Sequence, residues 1–94
     1  MIESFGDKIT TVFFQKKSHK RIPADIAKKA HMKLLVLDAV LDVLDLRQPP
    51  SNRLEKLKGN RRHQYSIRIN DQWRIVFEWK DNNAHRVQIV DYHS

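Results

Sequence analysis

Two arginines, Arg68 and Arg74, are the side chains of this 94-residue chain that first suggest chemistry. They lie in the stretch Tyr65–Arg74, where apolar and polar residues alternate as in a β-strand that buries one face. The turn-forming cluster Asn70-Asp71-Gln72 divides the stretch into two strands. We interpret it as a β-hairpin that carries both arginines on its polar face. Such arginines either bind an anion together or are simply solvated, because antiparallel sheets commonly keep one wet face.

The length of the loop decides which residues meet across this hairpin. A three-residue loop at 70–72 pairs Ile67 with Ile75 and keeps one face apolar, whereas a two-residue loop mixes the faces. The three-residue loop also places Arg68 opposite Arg74, and like charges in that position cost from a few tenths to about 1 kcal/mol. A shared anion would offset this repulsion.

A second hairpin is predicted around a turn at 81–83. The same matching of apolar faces pairs Ile75 with Ile89 and Phe77 with Val87, and it sets Glu78 opposite Arg86. This register carries the C-terminal tail, Asp91-Tyr92-His93, out of the sheet beside Arg74. A carboxylate, a phenol and an imidazole would then lie next to the cations.

The elements that must position these residues follow from apolar spacing. Residues 2–5 suit an edge strand, and a helix is expected from Gly6-Asp7 to about Gln15. After Pro23, apolar residues at steps of three and four predict one long helix, with a break at 42–45 as an option. Its expected core stripe consists of Ile26, Ala30, Leu34, Leu37, Leu41 and Leu44. A short strand is expected within 53–59. The predicted fold is a single α+β domain with two N-terminal helices packed on one face of a mainly antiparallel, twisted sheet.

Composition and charge limit the classes of binding partner that this chain is expected to have. A formal net charge of +7 and a sequence pI near 10.0 favour a polyanion, such as nucleic acid, or an acidic protein. Residues 1–52 carry nine basic and six acidic side chains and residues 53–94 carry nine and five, so the charge belongs to the folded body. The chain has no cysteine, no membrane-length apolar run, no signal segment, no histidine spacing typical of zinc sites and no phosphate-binding glycine loop. A cytoplasmic location and no cofactor are expected.

Three segments resemble the HigB toxins of the RelE superfamily: LEKLKGNR at 54–61, YSIRINDQWRI at 65–75 and DYH at 91–93. The resemblance covers essentially the whole chain and implies a RelE-like fold. It also implies a ribosome-dependent endoribonuclease, which cleaves messenger RNA in the ribosomal A site by attack of the ribose 2′-hydroxyl on the adjacent phosphate. The implied partners are mRNA, the ribosome with its ribosomal RNA, and a cognate HigA-type helix-turn-helix antitoxin; DNA would be met only through that antitoxin.

The resemblance assigns the site residues by position. Lys58 and Arg74 match the basic residues of the family site, and Asp91, Tyr92 and His93 match its C-terminal group. The reaction needs a proton acceptor for the 2′-hydroxyl, a proton donor for the departing 5′-oxygen and cations for the extra phosphate charge. His93 is the expected proton carrier, because histidine titrates near neutral pH.

Glu55 departs from the family pattern, because some HigB members have histidine at this position. A carboxylate can accept a proton but is a poor donor at neutral pH, so Glu55 is expected to be a base, an orienting group or simply one member of a rim ion pair. The choice of base and acid among Glu55, Tyr92 and His93 therefore stays open. Arg61, Arg62 and Arg68 are expected to contact RNA, chiefly through phosphates.

A second interpretation belongs to a different functional class. The chain would be a non-catalytic basic module that binds RNA, or one that joins an antitoxin in transcriptional autoregulation. Fold alone does not distinguish this module from an enzyme. Codon-linked cutting of mRNA on translating ribosomes does.

Overall fold

A four-stranded antiparallel sheet forms the C-terminal half of the chain, and two helices cover one of its faces. The computed structural model describes residues 1–61 and 63–92, with Arg61 described through its backbone alone. The helices are α1 (Lys8–Lys16) and α2 (Ala24–Ala39), and the strands, in sheet order, are β1 (Glu55–Lys56), β2 (Gln64–Arg68), β3 (Trp73–Lys80) and β4 (Asn83–Asp91). Short 3₁₀ turns occur at Val43–Arg47, Pro50–Asn52 and Gly59–Arg61. The predicted α+β class is confirmed.

The first helix begins where the sequence predicted. The Asp7 side chain caps it by accepting from the Thr10 N–H at 2.7 Å. The helix ends at Lys16, and the C-cap residue Lys17 adopts a left-handed conformation (φ 65°) and donates its N–H to the Phe13 carbonyl at 2.7 Å. These caps present Thr10 and Phe13 to the interior, where both are buried.

The second helix ends earlier than predicted. It stops at Ala39, Val40 is extended, and the Asp42 carboxylate caps the following 3₁₀ turn by accepting from the Leu44 N–H at 2.9 Å. Aspartate competes with the helix by bonding nearby backbone groups, which explains the break. The expected core positions Leu41 and Leu44 are therefore wrong: Leu41 is 77% exposed and Leu44 is exposed as well. Val43 and Leu46 are buried in their place.

The first hairpin has the predicted register. Ile67 pairs with Ile75, and Arg68 pairs with Arg74. Asn70 closes the loop, since its side-chain oxygen accepts from the N–H groups of Gln72 and Trp73, both at 2.8 Å. The three-residue loop is thereby confirmed.

The turn of the second hairpin differs from the predicted one. Its turn has two residues, Asp81 and Asn82, both with positive φ (54° and 62°) as a type I′ turn requires. Glu78 consequently pairs with His85 and not with Arg86. A β-bulge then follows, at which β4 carries one extra residue and Arg86 adopts a φ of 53°.

Beyond this bulge, the register is the one predicted from the apolar faces. Ile75 pairs with Ile89, and Arg74 pairs with Val90. The predicted Phe77–Val87 pairing falls within the irregularity, where the regular pairing is interrupted. The expected Glu78–Arg86 ion pair still forms, at 3.7 Å, although the two residues are not directly opposite.

The outer edge of β4 is covered by the N-terminal part of the chain. Ile2 and Phe5 form isolated parallel bridges to Ala84 and Val87, so the predicted edge strand exists as two bridges and not as a continuous strand. Further along, the Thr10 hydroxyl oxygen accepts from the Ile89 N–H at 3.0 Å. Backbone groups that an edge strand would leave unpaired are therefore satisfied.

The core lies between the helices and the sheet. Ile67, Ile75 and Phe77 point from the sheet toward α1 and α2, and each is at most 1% exposed. Alternation along the strands places Ser66 and Arg74 on the opposite face. No helix of the described residues is both long and apolar enough to cross a membrane.

Candidate active site

Arg74 lies on the inner strand β3, near the hairpin loop and on the open face of the sheet, and is held in a fixed position. Only 8% of it is exposed, which is unusual for an arginine. Its Nε donates to the Ser66 hydroxyl at 2.9 Å, and its Nη2 donates to the Arg53 carbonyl at 2.7 Å. Hydrogen bonds from a charged group are stronger than neutral ones, so these contacts fix the guanidinium plane.

Ser66 can hold Arg74 because of the hairpin register. Arg74 pairs with Arg68, which places Ser66 on the neighbouring strand two residues away and on the same face. Ser66 is fully buried, and its carbonyl lies 3.4 Å from the Arg74 Nη2. The guanidinium therefore extends across β2 toward β1.

Arg53 supplies its carbonyl from a backbone that is anchored to α2 and to the preceding 3₁₀ turn. It ends the Pro50–Asn52 turn in a left-handed conformation (φ 45°). The preceding residue, Asn52, is buried and donates to the carbonyls of Leu46 and Gln48 at 3.0 and 3.2 Å. Its side-chain oxygen accepts from Lys33 on α2. A chain of hydrogen bonds thus runs from α2 to Arg74.

Two predicted site residues lie against the guanidinium of Arg74. A Glu55 carboxylate oxygen is 3.9 Å from Nη2, and the Tyr92 ring centroid is 5.6 Å from Cζ, within the range of a cation–π contact. Both side chains are exposed. The structure therefore brings together an arginine, a carboxylate and a phenol. It also bears out the rim ion pair that was considered for Glu55, with Arg74 as the partner.

Two further predicted site residues, Arg68 and Asp91, form contacts with the hairpin loop. The Arg68 guanidinium forms an ion pair with Asp71, which offsets the repulsion from Arg74. The Asp91 carboxylate accepts from the Gln72 side chain at 3.0 Å. Arg68 and Arg74 thus have different partners, and the arrangement does not support the hypothesis of a shared anion.

Lys58 lies apart from this cluster. It is exposed and lines a cavity of about 480 Å³ together with Lys56 and His63. Among the described residues, no hydrogen bond or ion pair links Lys58 to Arg74. The backbone of Arg61 forms part of the adjacent 3₁₀ turn, whereas Arg62 and His93 lie outside the described residues.

A recess of about 250 Å³ adjoins the Arg74 cluster on the same face. Tyr92 and Asp91 line it from the chain end, Val76 and Val90 from the strands, and Gln64 and Gln88 supply amide groups. Two valines beside two amide groups suit a ligand that has both an apolar surface and hydrogen-bonding edges. Within the described ranges, no cluster of three or more histidine or carboxylate groups could hold a metal ion.

Sequence reasoning missed the two groups that fix Arg74. Ser66 stands on the polar side of the predicted strand, so its alternation with Ile67 could have identified it. The Arg53 carbonyl gives no signal in the sequence, because a backbone oxygen becomes specific only when a turn orients it.

Comparison with known proteins identifies the family. A family model described as the RelE-like toxin HigB of type II toxin–antitoxin systems matches residues 3–93. The chain belongs to the HigB-like toxin family. The resemblance noted in the sequence is thereby confirmed.

Curated relatives agree with this assignment. The chain is 42% identical over 85 residues to Toxin HigB-1 of Vibrio cholerae serotype O1, covering 89% of this chain and 90% of the relative. It is 29% identical over 93 residues to the Endoribonuclease HigB of Proteus vulgaris, covering 99% and 100% of the two chains. This HigB-like chain therefore matches both relatives over nearly their full length.

Solved structures support the fold. A chain of the YoeB-YefM complex from Staphylococcus aureus superimposes with a TM-score of 0.63 at 21% identity, covering 100% of this chain and 99% of that one. The YoeB dimer from the same organism gives a TM-score of 0.55 at 20% identity, covering 99% and 98%. The HigB-like chain thus has the fold of these toxins, as the α+β prediction implied.

Proposed function

We propose that this HigB-like protein is a ribosome-dependent endoribonuclease that cleaves messenger RNA in the ribosomal A site. The observation that supports this most directly is the buried, doubly hydrogen-bonded Arg74 with Glu55 and Tyr92 beside it. A fixed guanidinium next to groups able to accept or donate a proton is what an RNA phosphate needs for internal cleavage. The relative from Proteus vulgaris, an endoribonuclease by name, belongs to the same family.

In the proposed reaction, the ribose 2′-oxygen forms a bond to the adjacent phosphorus while the bond from phosphorus to the 5′-oxygen breaks. The extra negative charge develops on the phosphate oxygens, where Arg74 stabilises it. The hydrogen bonds that hold Arg74 come from Nε and Nη2. Nη1 is therefore the nitrogen that we expect to face the phosphate.

Proton transfer is assigned to Glu55 and to the C-terminal group. The Glu55 carboxylate, next to Nη2, takes the proton of the 2′-hydroxyl. The departing 5′-oxygen receives its proton from the C-terminal group, where Tyr92 and His93 are the two donors to be distinguished. Asp91, which accepts from Gln72, orients this tail.

The ribosome supplies what the small site lacks. Holding the scissile phosphate and the 2′-hydroxyl in line can lower the activation free energy of such a reaction by roughly 7–11 kcal/mol. Few catalytic groups are then needed. Lys58, Arg61 and Arg62 would contact RNA phosphates beside the site. The recess at Gln64 and Gln88 would accept a base of the codon.

A HigA-type antitoxin is proposed as the protein partner. The chain belongs to a family of toxins from type II toxin–antitoxin systems, and the similar YoeB fold occurs in a complex with YefM. The net charge of +7 suits an acidic partner.

Mapping mRNA ends on translating ribosomes tests the activity. The wild type should produce codon-linked cuts, and Arg74→Ala should lower their rate roughly 10²- to 10³-fold, the loss expected when a group that stabilises developing charge is removed. His93→Ala should also reduce cutting. Lys80→Ala is the matched control, because Lys80 is an exposed cation on the same strand but at its distal end. Absence of cuts by the wild type would favour the non-catalytic module, whereas full cutting by both Arg74→Ala and His93→Ala would refute the proposed site.

A further inference from the structure

The outward face of α2 carries an apolar strip. Met32, Leu35 and Val36 are 57%, 46% and 45% exposed. Their spacing of three and four residues places them side by side on one stripe of the helix, which we call the α2 crest. Ile26, Ala30, Leu34 and Leu37 already supply the contact of α2 with the core, so the crest is not needed for folding.

A groove runs along the crest on the side of the 3₁₀ turns. It has a volume of about 230 Å³, and Met32, Val36, Leu46, Pro49 and Ile67 form its apolar walls. Small-molecule pockets usually measure roughly 300–1,000 Å³, so this groove is sized for an inserted side chain. On the other side of the crest, Met32 and Leu35 also border a second recess.

Four lysines surround the crest. Lys29 and Lys33 line the groove, and Lys17 and Lys28 line the second recess. In the described part of the chain, none of these four lysines forms an ion pair. Asp38, near the C-terminal end of the same helix, accepts from the backbone N–H of Ile2 at 2.8 Å.

Lys33 is the most constrained of these cations. Burial lowers its pKa, and the nearby charges of Lys29 and Arg68 lower it further. Its hydrogen-bond acceptor, the side-chain oxygen of Asn52, is neutral. A carboxylate placed here would relieve both the repulsion and the cost of burial.

We infer that the α2 crest and its groove bind an amphipathic helix of the antitoxin, one that inserts an apolar side chain beside Met32 and places carboxylates near Lys29 and Lys33. The inference rests on the proposed function for the existence of that partner. A helix fits because ridges of side chains at spacings of three and four pack into the grooves between helical rows. A second copy of this chain fits poorly, because its lysines would lie against these lysines. RNA also fits poorly, because the crest itself is apolar and offers no charge to a phosphate.

The proposed surface is separated from the candidate active site by the sheet. The helices cover the face that carries Ile67 and Ile75, whereas Arg74 lies on the other. Substitutions on the crest should therefore leave RNA cleavage unchanged. Binding and catalysis can be measured independently.

The test compares purified variants by titration with the purified cognate antitoxin. Met32→Asp and Val36→Asp should each weaken binding at least about tenfold, because a carboxylate would enter an apolar contact ringed by the partner's own acidic residues. Leu41→Asp is the matched control: Leu41 is an exposed leucine that does not line the groove, and its replacement should change affinity by no more than about twofold. All three should retain wild-type cleavage on ribosomes, which also verifies folding.

A footprint on the wild-type proteins provides a second readout. Antitoxin should protect Lys29 and Lys33 from acetylation, detected by mass spectrometry, while Lys80 stays reactive. Wild-type affinity for both aspartate variants, or unchanged labelling of Lys29 and Lys33, would overturn the inference. Concentration-dependent dimerisation that Met32→Asp abolishes, with antitoxin binding intact, would assign the crest to self-association instead. Failure of the wild type to bind the antitoxin at all would refute the proposed partnership itself, while cleavage on ribosomes would still report on the enzyme.

Discussion

Replacing Ser66 with alanine isolates the contact that orients Arg74. The change removes one hydroxyl from a fully buried position and leaves the strand otherwise intact. Arg74 then keeps its bond to the Arg53 carbonyl but loses the acceptor at 2.9 Å from Nε. A guanidinium held at one end can rotate, so Ser66 is proposed as a positioning residue.

The size of the effect follows from burial and charge. Hydrogen bonds to charged groups contribute roughly 1.5–3 kcal/mol, and a donor that loses its partner in a buried site forfeits that contribution because water cannot readily replace it. We therefore expect Ser66→Ala to lower the free energy of unfolding by about 1.5–3 kcal/mol. In a domain of this size, each kcal/mol corresponds to roughly 4–8 °C in Tm. Cleavage should fall by about 10- to 100-fold, since small misplacements of a catalytic group are costly.

Denaturant unfolding and cleavage on ribosomes measure the two effects, with Ser51→Ala as a control that deletes an exposed hydroxyl. A double-mutant cycle with Arg74→Met separates the contact from general packing. Coupling of at least about 1 kcal/mol is expected, and the loss of cleavage should appear in kcat more than in KM. Additive effects of the two substitutions, or wild-type cleavage by Ser66→Ala, would refute the role of Ser66.

Three further outcomes are expected. Tyr92→Phe should keep the ring against Arg74, whereas Tyr92→Ala should reduce cleavage further; equal rates for the two variants would show that the ring contact does not matter. Thr10→Val should lower the free energy of unfolding by about 1–3 kcal/mol in denaturant titrations because it leaves the buried Ile89 N–H unpaired, while Thr10→Ser should recover most of the loss. The pKa of Lys33 is lowered from 10.5 in the folded protein, so between the folded-state pKa and 10.5 the unfolded state binds more protons. The free energy of unfolding of the wild type relative to Lys33→Gln should therefore rise with pH across that interval. A difference that does not change with pH would contradict this.

The sequence was sufficient to predict the fold where apolar alternation left one consistent answer. The first hairpin, the Ile75–Ile89 pairing and the two helices followed from periods of two and of three to four residues. The end of α2 was predicted less well, because apolar spacing continues through Leu41 and Leu44 while the chain has already left the helix. Asp42 breaks the helix by capping the next turn, and only the folded chain shows which of its two roles prevails.

Part of the candidate site was predictable from the sequence, but the orientations of its side chains were not. The sequence predicts Arg74, Glu55 and Tyr92 as site residues, and the structure places them together. The different orientations of Arg68 and Arg74 depend on Asp71, Ser66 and the Arg53 carbonyl, which are selected by side-chain rotamers and a left-handed backbone. Those choices are not encoded in a pattern of polar and apolar residues.

The bulge at Arg86 bears on how this protein can vary. The distal turn at Asp81-Asn82 is one residue shorter than the facing register requires, and the extra residue in β4 restores the alignment before Ile89. Insertions or deletions at the distal turn can thus be absorbed at the bulge without shifting Val90 against Arg74. Related chains should differ in length at the distal turn far more readily than at the loop 70–72, which is followed directly by Trp73 and Arg74 with no bulge in between.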